Sequence, residues 1–263
     1  MAKSVPLAEV TAFLDEYLRI RHIPDSDNAF NGLQVENSGQ VTRLVAAVDA
    51  TQDTIDGLRS THSPPGVLLL VHHGLFWDGG QPLTGRRYRR IRSLLQQDAA
   101  LYAAHIPLDV HPEVGNNALL ARSLGLTDCI PFGEHRGLEI GIMGDAGTPS
   151  LTREGLVESV ARLLGITPGA IRVLPGGPDR VARIGVITGA AGTAIRQASL
   201  AGCDTFITGE GAAHTYFDAM EFGINVLYAG HYATETLGVR ALGAVVAERF
   251  SMGWEFHDHP TGM

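Results

Sequence analysis

Three places in the chain set histidines and carboxylates directly after apolar runs. VLLLV (67–71) runs into His72 and His73, ALYAA (100–104) into His105 and then Asp109, and INVLYAG (224–230) into His231 and then Glu235. Imidazole with carboxylate, and no thiolate nearby, is the donor set of a borderline divalent cation: zinc, manganese, iron or nickel. His231 and Glu235 are four residues apart at the entry of a helical stretch, which puts both on one face, one turn apart. His72 and His73 are adjacent, and neighbours on an extended backbone point to opposite sides. They are expected to serve two ions, or to divide between ligation and support of a ligand. A lone histidine at a strand end is commonly a hydrogen-bonded core residue. Asp109 alone could cap a turn, and Glu235 suits a helix N-terminus without any metal. What points to a metal site is that all three clusters fall at the carboxyl ends of strands, where open α/β sheets bind ligands.

The elements that must position these residues alternate. Strand-like runs cover 44–48, 67–71, 100–104, 183–187, 203–208 and 224–230, and WEFHDHP near the C-terminus adds a candidate last strand. Helical patterns cover 51–60, 88–98, 116–125, 155–165, 193–202 and 234–250. Such alternation predicts an α/β fold with a largely buried sheet. Pro- and Gly-rich stretches at 144–149 and 174–178 bracket the helix at 155–165, which reads as an insertion or the edge of a second lobe. A weak internal repeat points the same way. VTRLVAAVDATQDTIDGLRS (41–60) parallels VARIGVITGAAGTAIRQASL (181–200), and YAAHIPLD (102–109) parallels YAGHYATE (228–235).

Composition removes alternatives. The 263 residues carry a net charge of −8, which disfavours non-specific attraction to nucleic acid or an anionic membrane. No apolar run approaches the ~20 residues of a membrane span. The N-terminal stretch lacks an apolar signal core, and Leu7, Val10, Leu14, Tyr17 and Leu18 fall on one side of a helix. A cytoplasmic location is the expectation. Cys129 and Cys203 stand in unrelated contexts and imply neither a disulfide framework nor a cysteine zinc site. Lys3 is the only lysine, so a buried Schiff-base lysine and a GxxxxGK[ST] phosphate loop are excluded. Neither HExxH nor GxSxG occurs, and GVITGAAGTAIRQA reads as a tight strand-to-helix turn. Arg86, Arg87, Arg89 and Arg90 in GRRYRRIR are candidate anion anchors, although such a run is more commonly a solvated helix face. His111, Glu113, His257 and His259 are read as solvated. Glu210 and His214 follow a strand and could line a cleft.

NGLQVE (31–36), VHHGLFW (71–77), AHIPLDVHPEVGNN (104–117), ITGEGAAHTYF (207–217) and GHYATETLGVRAL (230–242) stand in the order seen in the Nif-three-like proteins. That family includes the proteins named GTP cyclohydrolase 1 type 2 homologues. The resemblance spans almost the whole chain and is least distinctive over residues 131–180. It implies two related α/β lobes with a dinuclear metal site in the cleft between them, expected as residues 1–127 plus 230–263 and residues 128–229. It implies two divalent ions per chain, with His72, His73, Asp109, His231 and Glu235 as ligands and His105 as a further ligand or supporting partner. It further implies a hexamer built from dimers. The activity expected on this resemblance is metal-dependent hydrolysis with a metal-bridging water, on a small-molecule substrate for which a nucleotide is the candidate. The alternative is a non-catalytic metal-binding scaffold or regulatory protein.

Overall fold

Every residue from Val67 to His72 is buried, which a strand achieves only when both faces of its sheet are covered. The computed structural model describes residues 4–59, 66–147 and 151–263. Lys3, the end of the helix expected at 51–60, and positions 148 and 149 of the Pro- and Gly-rich punctuation lie outside them.

In chain order the first part contains β1 (Val5–Pro6), α1 (Leu7–Tyr17), β2 (Gly32–Val35), β3 (Gln40–Val41), β4 (Arg43–Asp49), α2 (Gln52–Asp56), β5 (Val67–His73), α3 (Gly85–Gln96), β6 (Ala99–Ala103) and α4 (Ile106–Asp109). There follow α5 (Asn116–Ser123), β7 (Thr127–His135), β8 (Leu138–Asp145), α6 (Arg153–Leu164), β9 (Arg172–Pro175), β10 (Arg183–Val186) and α7 (Ile195–Leu200). The chain closes with β11 (Thr205–Thr208), α8 (Thr215–Phe222), β12 (Asn225–Tyr228), α9 (His231–Phe250) and β13 (Gly253–Phe256).

The chain divides into two units, Met1–Leu108 with Gly238–His259, and Asp109–Leu237 with Pro260–Met263. Residues 109–127 and 230–237 thus fall in the second unit. Leu120 of α5 sits in its core beside Leu156, Val160 and Ile184, and Leu237 packs against the same cluster.

The first unit holds a five-stranded sheet of order β13-β4-β5-β6-β2, parallel except for β2. Val45, Leu69, Val71 and Leu101 on its strands pack against Ile55 of α2 and Leu94 of α3. Full burial of side chains of this size contributes roughly 1.5–3 kcal/mol each. Thr51 caps α2 by accepting from the Thr54 amide at 3.1 Å. Tyr102 of β6 donates to Asp15 of α1 at 2.7 Å, which fastens that helix.

The second unit holds a six-stranded sheet of order β7-β8-β10-β11-β12-β9, with β10, β11 and β12 parallel and the outer strands antiparallel. Ile184, Val186, Ile207 and Leu227 meet α6, while Phe206, Val226 and Tyr228 belong to a second cluster that includes Ile195 and Ala198 of α7. Thr152 caps α6, which ends on the left-handed Gly165.

Both units are the same βαβαβ path, β4-α2-β5-α3-β6 and β10-α7-β11-α8-β12. In each, an antiparallel strand that precedes the path lies beyond its third strand: β2 beside β6, and β9 beside β12. The two sequence parallels fall on corresponding pieces of this path. In place of an insertion, the helix at 155–165 is α6, packed on the second sheet.

Candidate metal centre

The first unit gathers three histidines at the carboxyl end of its sheet. Each of His72, His73 and His105 offers a ring nitrogen within 4.8 Å of the others. His72 is fully buried, and its ring lies 4.7 Å from that of His73 and 5.0 Å from that of His105, centroid to centroid. The adjacent pair therefore converges, against the expectation from strand alternation. Each ring is held by its own acceptor. His72 Nδ1 donates to the Ala104 carbonyl at 2.9 Å, and His73 Nδ1 to Asp49 at the end of neighbouring β4 at 2.8 Å. His105 Nδ1 is held by both oxygens of Asp25, at 2.9 and 3.0 Å.

Asp25 is itself fixed. Burial would raise its carboxyl, but the hydrogen bond and charge of His105, with hydrogen bonds from Asn31 and the Ser26 amide, hold it below the usual carboxylate range. Asn31 also accepts from the His105 amide at 2.7 Å. Gln34 accepts from the Leu75 amide at 2.8 Å, and its side chain fills the space a Cβ on Gly74 would need. The NGLQVE stretch thus braces both the turn after His73 and the loop that carries His105.

In the second unit His231 opens α9, and its Nε2 stands 3.2 Å from Glu235 one turn on, as the spacing predicts. His231 Nδ1 lies 2.7 Å from Glu210, beyond the end of β11. The hydrogen bond to Glu235 raises the imidazole pKa, burial opposes it, and the charge of Glu235 and the contact with Glu210 add, reaching about 9. Glu235 is buried against the turn after β10. Gly189 there has φ +71°, and a Cβ on it would collide with Glu235 Oε1. The backbone is held close by the Gly189 amide donating to Thr234 Oγ1 at 3.1 Å.

Asp109 ends the short helix α4 and is buried. It accepts from Asn116 at 2.8 Å and from the Thr188 hydroxyl at 3.4 Å. Asn117 accepts from the Thr188 amide at 2.8 Å, so the asparagines after Gly115 tie Asp109 to the turn that carries Gly189.

The other candidates separate. His111 Nδ1 accepts from the Glu113 and Val114 amides and serves its own turn. His214 is exposed at the start of α8, and His257 and His259 lie in the C-terminal tail with their ring centroids 6.2 Å apart. Within the arginine run, Arg87 is buried and bonded to Asp78, Gly79 O and Gln81 O, contrary to a solvated face; Arg86 and Arg89 are exposed. Burial raises the pKa of both thiols, that of Cys203 to about 11.

The residues fit divalent cations. All four imidazoles have Nδ1 engaged by a carboxylate or carbonyl, the arrangement that orients histidine ligands and fixes their tautomer. Two nitrogens on one zinc-sized ion lie no more than about 4 Å apart. The 4.8 Å bound on the first group is then met by one ion after slight closure, or by two.

The family model described as Duf34/NIF3 (NGG1p interacting factor 3) matches residues 5–260. A Deinococcus radiodurans protein named GTP cyclohydrolase 1 type 2 homolog is 44% identical over 257 residues, 97% of this chain and 94% of that one. One of the same name from Pyrococcus abyssi is 42% identical over 97% of this chain and 98% of its own. The crystal structure of TTHA1606 from Thermus thermophilus superimposes with a TM-score of 0.82 at 39% identity, covering 98% of this chain and 100% of that one.

Proposed function

The chain belongs to the Duf34/NIF3 family, and we propose that it is a divalent-metal-dependent protein of hydrolase type whose two ions are held by His72, His73, Asp109, His231 and Glu235. The observation that carries this reading is the set of four imidazoles, each with Nδ1 already engaged by an acceptor. A pair of divalent cations supplies Lewis acidity, lowering the pKa of a water toward neutrality and polarising the group under attack. The chain's own residues do the rest. Asp49, Asp25 and Glu210 orient the rings, Asp109 and Glu235 bring negative charge, and Asn116 and Thr188 keep Asp109 in place. Gly189 lets the backbone approach Glu235.

The name carried by the relatives makes hydrolytic opening of the purine imidazole ring of GTP the first reaction to test. Assembly into a hexamer built from dimers is proposed on the same resemblance and is read by sedimentation. One observation favours the second reading, a non-catalytic metal-binding scaffold or regulatory protein. His72, Asp109 and Glu235 are 0%, 7% and 2% exposed, and structural sites tend to be closed.

The experiment is metal analysis of protein purified without chelator, joined to a hydrolase screen that includes GTP. About two ions per chain with turnover supports the enzyme. Two ions with no turnover, and a melting temperature that falls on chelation, supports the scaffold. Absence of metal overturns both.

A further inference from the structure

Strand β9 reads RVLP, and alternation puts Arg172 and Leu174 on one face of it. Arg172 stands directly opposite Tyr228 in the antiparallel register of β9 with β12, so those two side chains share that face. Together with Tyr216 of α8 they wall a cavity of about 450 Å³, a size typical of small-molecule sites. Gly211, Ala212 and Ala213 form a further wall, and their side chains, no larger than a methyl, leave the space open.

The cavity is held in shape by its own hydrogen bonds. Thr215 is buried, and its hydroxyl lies 2.5 Å from both the Ala212 carbonyl and the Tyr228 hydroxyl. A carbonyl only accepts, so the Thr215 proton goes there and Tyr228 donates to Thr215. Gly211 approaches the Tyr228 hydroxyl so closely that a Cβ on it would collide. The same loop carries the acid on His231. Gly211 follows Glu210, whose Oε1 is 2.7 Å from His231 Nδ1, and the Gly230 amide donates to the Gly209 carbonyl at 2.9 Å.

The lining has a definite chemistry. Arg172 is its one charged side chain, is exposed, and enters no ion pair among the described residues. Burial raises the pKa of Tyr228, so the phenol brings no negative charge. A guanidinium with free donors suits a phosphate or carboxylate. Tyr216 is 46% exposed and stands edge-on to Phe217, with ring centroids 5.6 Å apart at 86°, so its ring is open to a flat partner. Leu174 adds an apolar surface to the same wall.

We propose that this cavity binds a small anion that carries a planar ring, with Arg172 on the anionic group and Tyr216 on the ring, and that it is the recognition part of the metal-dependent site. The second half of this statement rests on the function proposed above.

The test is calorimetry on the full chain with its metal content measured, using GMP, guanosine and inorganic phosphate. GMP joins ring and anion, and the other two carry one each. Wild type is expected to bind GMP on the order of tenfold more tightly than either. Arg172→Gln should cancel the advantage over guanosine and Tyr216→Ala the advantage over phosphate, each raising the GMP dissociation constant on the order of tenfold. Tyr216→Phe keeps the ring and should bind GMP as wild type does. Both positions are exposed, so melting temperature and metal content should not change. Because a phosphate also binds metal ions, the titrations are repeated on chelator-treated protein, where the dependence on Arg172 and Tyr216 should persist. Absence of GMP binding by wild type, wild-type GMP affinity in Arg172→Gln or Tyr216→Ala, or loss of the dependence on both residues after chelation overturns the proposal. GMP binding through both residues in a chain that carries no metal as purified overturns the metal-dependent reading alone.

Discussion

Glu210 Oε1 lies 2.7 Å from His231 Nδ1, and the two residues follow neighbouring parallel strands, β11 and β12. The first unit repeats the relationship with Asp49 and His73, 2.8 Å apart at the ends of neighbouring β4 and β5. In both units one strand delivers the imidazole and the strand beside it delivers the acid that aims the ring.

Glu210→Gln is therefore expected to weaken metal affinity by about 10- to 100-fold while leaving the fold intact, since Glu210 orients His231, a proposed ligand, without filling a core. Competition against a chromophoric chelator measures it. Glu113→Gln, at an exposed position, is the control and should leave metal affinity unchanged.

His231 gives the pH dependence. Its pKa rises from 6.5 to about 9 in the metal-free protein, chiefly through Glu235. The stabilisation this proton brings is complete below 6.5 and is lost as pH rises through about 9. An ion bound at Nε2 must displace the proton. Metal affinity should therefore climb with pH up to about 9, with proton release at neutral pH. Calorimetry in buffers of different ionisation heat counts the protons. Affinity that levels off near pH 6.5 would instead assign His231 an ordinary imidazole.

Gly189→Ala tests the close approach at Glu235. A side chain there meets both a left-handed backbone and the Glu235 carboxylate, for a cost of roughly 1–3 kcal/mol. Urea denaturation should show that loss, and metal analysis should show a reduced content. Wild-type stability would mean the turn can relax away from Glu235.

Asp109→Asn separates chemistry from structure less cleanly than a loop residue would. Its carboxylate is buried and accepts from Asn116 and Thr188. The amide can turn its NH2 toward one of those donors, so a fall in melting temperature is expected together with metal loss. If catalysis is its role, turnover measured with metal in excess should fall by more than the unfolded fraction explains. Turnover that tracks the folded fraction assigns Asp109 to the scaffold.

The strand ends with His72, His73, His105 and His231 are legible in the sequence because a buried strand reads as an unbroken apolar run, and the polar residue that breaks it stands out. Asp49 closes RLVAAVD by the same signal, though only the fold shows that it serves His73. Asp25 cannot be read that way: it lies in an aperiodic loop and reaches His105 across 80 residues of chain. The same holds for Asn31 and Gln34, whose partners are supplied by folding. The β7–β8 hairpin is illegible because β7 is mostly exposed, which removes the alternation that marks a strand. Its turn uses Arg136 and Gly137 at positive φ rather than an Asn-Gly pair. Helix α8 is hidden for a related reason: Tyr216, Phe217 and Phe222 are exposed, so its apolar residues do not trace one stripe.

The partners of the four imidazoles have a kinetic consequence. A main-chain carbonyl cannot donate, and an ionised carboxylate cannot either, so each ring must carry hydrogen on Nδ1. Tautomer and ring angle are settled when the chain folds, and the entropy of immobilising four side chains is lost then rather than at cation capture. Loading has no ring rotation to wait for. Its speed should follow how readily the incoming ion sheds its hydration water, so ions that exchange water quickly, such as zinc and manganese, should enter well before nickel. The metal found in freshly made protein would then record which ion arrived and dehydrated first, and only after long equilibration which one binds best.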